Sequence, residues 1–248
     1  MTRPGPSIEV FADAPALATR VGARLLERLA AVQATGHVPG IALTGGSIAE
    51  ELHRELVQLT PASGVDWSRV DIWWGDDRFV PADSSERNAR QAAEALLDHV
   101  DVDPHRVHEM PSSASGDLAG AAAAYAAEVR AHGAGMFDVV MLGVGPDGHI
   151  ASLFPGHPAL DVDDAVAVGV TDSPKPPPER ISLTFAALNR TRATWFLVSG
   201  SGKAEAVARA HGGADVHEVP AAGAHGSEET VWFLDEAAAG QLPDREKS

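Results

Sequence analysis

The sequence predicts an α/β fold, with one mostly parallel, Rossmann-like sheet carrying helices on both faces, and residues 1–248 forming a single domain. Two observations lead there. Short apolar runs alternate with longer stretches of helical period through residue 143, and strand–helix–strand repetition builds parallel sheets covered on both sides. No internal repeat and no Pro/Gly/Ser-rich linker divides the 248 residues, and 44% hydrophobic content is enough for a sizeable core.

The elements read in order. IEVFA at 8–12 is the first strand, and Ala14 to about Ala34 the first helix. GIALT at 40–44, a helix from Ala49 to Leu59 and DIWW at 71–74 repeat the unit, followed by helices at Glu86–Val100 and Leu118–His132. FDVVMLG at 137–143 is continuously apolar from Val139 onward, as a strand buried on both faces should be. After Gly156 the pattern loosens: AVAVGV at 165–170, a stiff proline segment SPKPPPERISL, and TWFLVSG at 194–200 leading into a helix from Gly202 to about Ala210. Gly212–Glu229 has no period and reads as surface loop, and TVWFLDEAAAG at 230–240 as a last strand with a capping helix.

Charge and composition narrow the function. With 35 acidic against 19 basic side chains the formal charge is −16, which repels nucleic acid and anionic membranes, so no nucleic-acid partner is expected. An anionic ligand would need a locally positive site. The absence of cysteine removes disulfides, thiolate nucleophiles and thiolate metal sites, and the eleven histidines are scattered without H-E-x-x-H. No metal and no cofactor are expected. No apolar run approaches the roughly 18 residues a membrane helix needs, and MTRPGPSIEVFADAP lacks a signal-peptide core, so the expectation is a cytoplasmic protein with no membrane partner.

The run VVMLGVGPDGHIASLFPG contains Gly143, Gly145 and Gly148 in the dinucleotide spacing G-x-G-x-x-G. That motif needs its third glycine inside a helix of roughly three turns. Pro155 and Pro158 leave no room for one. The glycines then read as a tight turn after a parallel strand, with Asp147 and His149 flanking Gly148: either a carboxylate–imidazole pair for proton transfer or a capping Asp beside a loop histidine. In TGGSIAEEL, Gly45 and Gly46 turn the chain, Ser47 suits an N-cap and Glu50 completes a capping box, so the loop is an anion site or a plainly capped helix.

DIWWGDDRFVPADSSERNAR adds Asp76, Asp77, Arg78 and Asn88 after the third strand. It is a second source of ligand groups or a solvated charged loop. VSGSGKAEA is not a P-loop, because Leu197 and Ala204 stand where Gly and Ser/Thr are required. Lys203 still opens a helix, and Lys175 and Arg180 flank the prolines. All these loops follow strands of a parallel sheet, where such sheets bind ligands, and together they indicate an enzyme acting on a small phosphorylated metabolite.

In this order LTGGS, DDRFVP with S-x-x-x-N, FDVVMLGVGPDGHIASLFPG, PKPPPERISLT and WFLVSGSGKAEA closely resemble the 6-phosphogluconolactonase family, from about residue 8 to 240. The resemblance implies a fold similar to glucosamine-6-phosphate deaminase and ribose-5-phosphate isomerase. It also implies hydrolysis of 6-phospho-D-glucono-1,5-lactone in the oxidative pentose phosphate pathway, without metal or cofactor, by a monomer or weak homodimer. Carried over by position, it makes His149 the acid/base and Asp147 its partner, with Gly45, Gly46, Ser47, Asp76, Arg78, Asn88, Arg180 and Lys203 as substrate or phosphate contacts. Ile48, Ala49, Asp77 and Ile150 depart from the family's usual residues. The alternatives are an isomerase or deaminase on the same fold, with Asp76 as base, and a sugar-phosphate sensor of the kind fused to a DNA-binding domain. Only about seven residues precede the first strand, which argues against the sensor.

Overall fold

The computed structural model describes residues 5–133 and 135–243. The outer ends of the 1–248 span, and the first four residues of the segment read for a leader, lie outside them. Six strands form one wholly parallel sheet: β1 (Ser7–Phe11), β2 (Gly40–Leu43), β3 (Asp71–Trp74), β5 (Phe137–Gly143), β8 (Thr191–Val198) and β9 (Glu229–Asp235), in the order β1-β9-β8-β5-β2-β3. From β2 the chain moves outward to β3, then returns to the other side of β2 as β5 before continuing to β8 and β9. The crevice between β2 and β5 is therefore the topological switch point, where ligands bind in open α/β sheets.

β5 is central and Val139, Val140, Met141 and Leu142 are buried, as its unbroken apolar run requires. Helix α1 (Ala14–Ala34) starts at Asp13, whose carboxylate accepts from Ala16 N–H at 2.9 Å, and buries Leu17, Val21, Leu25 and Leu29 at helical spacing. It packs on α2 (Ser47–Ser63), which ends at Gly64 in a left-handed conformation.

Several elements differ from the sequence expectation. A second, antiparallel sheet of β4 (Asp76–Arg78), β7 (Arg180–Leu183) and β6 (Ala167–Val170) extends past the end of β3. Gly75 joins the sheets, its N–H donating to Leu43 O at 3.0 Å and its carbonyl accepting from Leu183 N–H at 2.8 Å. The helix expected at 86–100 is α3 (Asn88–Ala95) followed by a single 3-10 turn. α4 (Leu118–His132) keeps its expected ends, and Phe185–Leu188 forms a one-turn α5. A 3-10 turn at Ser201–Lys203 precedes α6 (Ala204–His211), and residues 236–241 make turns rather than a capping helix.

Gly212–Glu229 is not mere surface loop. Val219 and Ala221 are buried, Ala221 N–H donates to Gly148 O at 3.0 Å, and the Val219 side chain lies against Gly148. This segment is the back wall of the glycine turn that follows β5. Its hydrophobes are too few and too irregularly spaced to announce burial in sequence.

Candidate active site

The loops after β2 and β5 meet at the switch point, tied by a hydrogen bond from Gly143 N–H to the Thr44 hydroxyl at 3.2 Å. The β5 loop is a closed turn: Gly148 N–H donates to Gly145 O at 3.0 Å, and Gly145 N–H to His149 O at 2.9 Å. Gly148 has φ +83°, a conformation glycine adopts freely. Gly145 is needed for space, because a Cβ there would overlap the His149 ring and the Asp147 carboxylate.

This turn brings Asp147 Oδ1 to 2.5 Å from His149 Nδ1. Burial alone would raise the Asp147 carboxyl, but the His149 hydrogen bond, the imidazole's charge and Lys175 outweigh it and hold the group at about 2. An ionised Asp147 can only accept, so Nδ1 carries the proton on the neutral ring and Nε2 is the basic nitrogen. Of the two sequence readings, the pair is present and the helix that Asp147 would cap is not: residues 149–157 contain no helix. Phe154 lies 4.6 Å from the imidazole, centroid to centroid, and fixes one face of the ring. Ile150, a family departure, is fully buried and anchors the turn in the core.

The Gly45–Ser47 loop opens α2 without a side-chain cap. Ser47 is the first helical residue, not the N-cap, and Glu50 pairs with Arg54, so the expected capping box does not form. The first N–H groups of a 17-residue helix are left facing the crevice, an arrangement suited to an anion. Gly45 lies so close to the Asn88 side chain that any Cβ would overlap it.

The second sheet supplies cations. Arg78 and Arg180 are directly paired across β4 and β7, a juxtaposition of like charge that costs stability on its own and is favourable when an anion lies between. Arg78 donates from Nη1 to Asn88 Oδ1 and to Glu86 O, and Asn88 donates from Nδ2 to Asp76 O at 2.9 Å and Oδ1 at 3.2 Å. Asp76 Oδ2 accepts from the Ser152 hydroxyl at 2.6 Å. Asp77 is not in the cavity lining: it accepts from the N–H groups of Arg78 (2.8 Å) and Asn88 (2.6 Å) and pairs with buried Arg87. Burial pushes its carboxyl up to about 6 against those partners. It locks the corner that aims Arg78 and Asn88.

Arg180 is buried, and its Nε and Nη2 also hold the carbonyls of Pro177, Lys175 and Pro176. The stiff proline segment is thus a bent loop clamped by Arg180. Lys203 donates to Val144 O at 2.6 Å, and burial lowers its ammonium, as does nearby Lys175.

These parts enclose a cavity of about 260 Å³ whose lining includes Gly45, Gly46, Ser47, Asp76, Arg78, Asn88, His149, Arg180 and Lys203, with Asp147 behind the histidine. Sequence reasoning left open the role of Lys175 in the lining, and missed Ser152 on Asp76 and the Val219–Ala221 wall. Among the described residues no group of three or more His, Cys, Asp or Glu is arranged to hold a metal ion.

A parallel sheet with a cation-lined cavity and a carboxylate-oriented histidine at its switch point defines a class: α/β enzymes of small phosphorylated metabolites. The chain belongs to the glucosamine-6-phosphate isomerase/6-phosphogluconolactonase family, whose model matches residues 12–232. It is 48% identical over 245 residues to the 6-phosphogluconolactonase of Mycobacterium tuberculosis, covering 96% of this chain and 98% of that one. The crystal structure of 6-phosphogluconolactonase from Thermotoga maritima superposes with a TM-score of 0.82 at 26% identity, over 93% of this chain and 100% of that one. A monomeric glucosamine-6-phosphate deaminase shares the fold, with a TM-score of 0.81 at 21% identity over 95% and 99% of the two chains.

Proposed function

We propose that this protein hydrolyses 6-phospho-D-glucono-1,5-lactone to 6-phospho-D-gluconate, the lactone step of the oxidative pentose phosphate pathway. The observation that carries the reading is the Asp147–His149 pair in a cavity that also presents the paired Arg78 and Arg180. Close relatives bearing the 6-phosphogluconolactonase name over nearly the whole chain support it.

In the mechanism, His149 Nε2 takes a proton from a water as its oxygen attacks the lactone C1. The carbonyl π electrons move to oxygen and an oxyanion forms. Its collapse breaks the C1–O5 bond, His149 returns the proton to O5, and the carboxylic acid formed releases the water's second proton to solvent to give the gluconate. Ionised Asp147 holds the ring by Nδ1 and stabilises the transient imidazolium. The phosphate binds to the open α2 N-terminus at Gly46 and Ser47 with Arg78, while Arg180 and Lys203 complete the positive lining. Binding energy from this remote group orients the ring. Both oxygens of Asp76 accept hydrogen bonds from Ser152 and Asn88, which favours hydrolysis over an enolisation that would use Asp76 as base.

Residues 1–248 act as one catalytic unit, a reading supported by one continuous core. The protein acts as a monomer or weak homodimer. No helix among the described residues is long and apolar enough to cross a membrane, and the protein works in the cytoplasm on a small sugar phosphate. The test is a dehydrogenase-coupled assay with freshly made 6-phosphogluconolactone, corrected for spontaneous hydrolysis. Enzyme-dependent turnover is expected. Ammonia release from glucosamine 6-phosphate without lactonase activity would overturn the assignment in favour of a deaminase.

A further inference from the structure

The lining carries one cation that the mechanism above leaves without a task. Lys175 enters the cavity from the loop between β6 and β7, and that loop is held as a built feature. The Lys175 carbonyl accepts from buried Arg180 Nη2 at 3.1 Å and from the Ser173 hydroxyl at 2.9 Å, and its N–H donates back to Ser173 Oγ at 3.3 Å. A fixed backbone on a long side chain delivers its ammonium to one region of the cavity.

That region is the reacting end. Lys175 shares the cavity lining with Val144, Gly145 and His149 of the glycine turn and with Lys203, which donates to Val144 O at 2.6 Å, and its charge lowers both the Asp147 carboxyl and the Lys203 ammonium. Arg180 instead faces Arg78 across the second sheet, with Asp76 and Asp77 on the same strand as Arg78. The cations thus divide between the two ends of the cavity. A lactone 6-phosphate has one anionic end at the start, and ring opening creates a second at C1.

We propose that Lys175 is a catalytic residue whose ammonium meets the negative charge that develops on the C1 oxygen in the transition state and, once the product acid has ionised, the product carboxylate. This rests on the lactonase reading. Lys175 keeps its proton throughout: the electron pair moves from the carbonyl π bond to oxygen and back, His149 carries one proton of the attacking water to O5, and the carboxylic acid so formed loses the water's second proton to solvent. A cation placed where charge develops stabilises the transition state more than the ground state.

The test compares Lys175→Met and Lys175→Arg with the wild type on 6-phosphogluconolactone and on unphosphorylated gluconolactone. Inhibition is measured with 6-phosphogluconate and with glucitol 6-phosphate, which has a CH₂OH where the other has a carboxylate. Lys175→Met should lower kcat/KM on both lactones by a common factor of about ten- to a hundredfold, below the full effect of a dedicated oxyanion donor because the loop is partly open to water. Inhibition by 6-phosphogluconate should weaken while that by glucitol 6-phosphate is retained, and Lys175→Arg should recover part of the rate. Loss confined to phosphorylated ligands would make Lys175 a phosphate contact and overturn the proposal, as would unchanged kinetics. Absence of turnover by the wild type would instead remove the lactonase reading itself.

Discussion

Replacing Gly145 with alanine isolates the geometry of the Asp147–His149 pair from its chemistry. The backbone at 145 is not in the left-handed region, so alanine is conformationally allowed, and the added methyl first meets the His149 ring and the Asp147 carboxylate. To reach ordinary van der Waals separation the imidazole must retreat by more than an ångström, which breaks its 2.5 Å bond to Asp147. A misplacement of about 1 Å at a reacting group costs on the order of 10²-fold in rate. The substitution deletes no buried side chain, so the global cost is that of local crowding, about 1–3 kcal/mol. Gly145→Ala is therefore expected to remain folded by thermal melting and to lose about a hundredfold in kcat, with KM for the lactone changed far less. Activity within threefold of the wild type would refute the argument that the turn exists to place the pair.

Other perturbations separate the remaining roles. Arg78→Ala should reduce the preference for 6-phosphogluconolactone over gluconolactone by about tenfold or more, on the scale of a charge-assisted hydrogen bond; an unchanged ratio of kcat/KM values would move the phosphate elsewhere. His53, buried in α2 with Nδ1 unpartnered, is lowered by burial to about 4. A base depressed in the folded state stabilises the fold fully above its unfolded value of 6.5, and this contribution is lost as pH falls through about 4. At 1.36 kcal/mol per unit that is about 3 kcal/mol. Urea unfolding should show His53→Leu losing less stability than the wild type between pH 7 and pH 4, and parallel losses would reject the assignment.

What could be read from the sequence was what local pattern encodes. The unbroken apolar run of β5, the glycines after it and the prolines at 155 and 158 together excluded a cofactor helix and left His149 at a strand's end. What was hidden came from pairings distant in sequence. β4 is the tripeptide Asp76-Asp77-Arg78, too short and too charged to suggest a strand, and its partner β7 lies about a hundred residues on, so neither the second sheet nor the Arg78–Arg180 pairing was legible. The same holds for Val219 behind Gly148, which closes the site from a segment of no evident period. Ser47 shows the limit of a local rule: the capping-box pattern is present, yet the helix begins one residue earlier than that motif requires and leaves its N-terminus open to the cavity.

The central claim is that His149 moves the proton. Steady-state kinetics of His149→Ala on freshly prepared 6-phosphogluconolactone, above the spontaneous rate, test it most directly. The account predicts a folded protein whose kcat/KM has fallen by at least about a hundredfold. A folded variant with near-wild-type kcat/KM would contradict it.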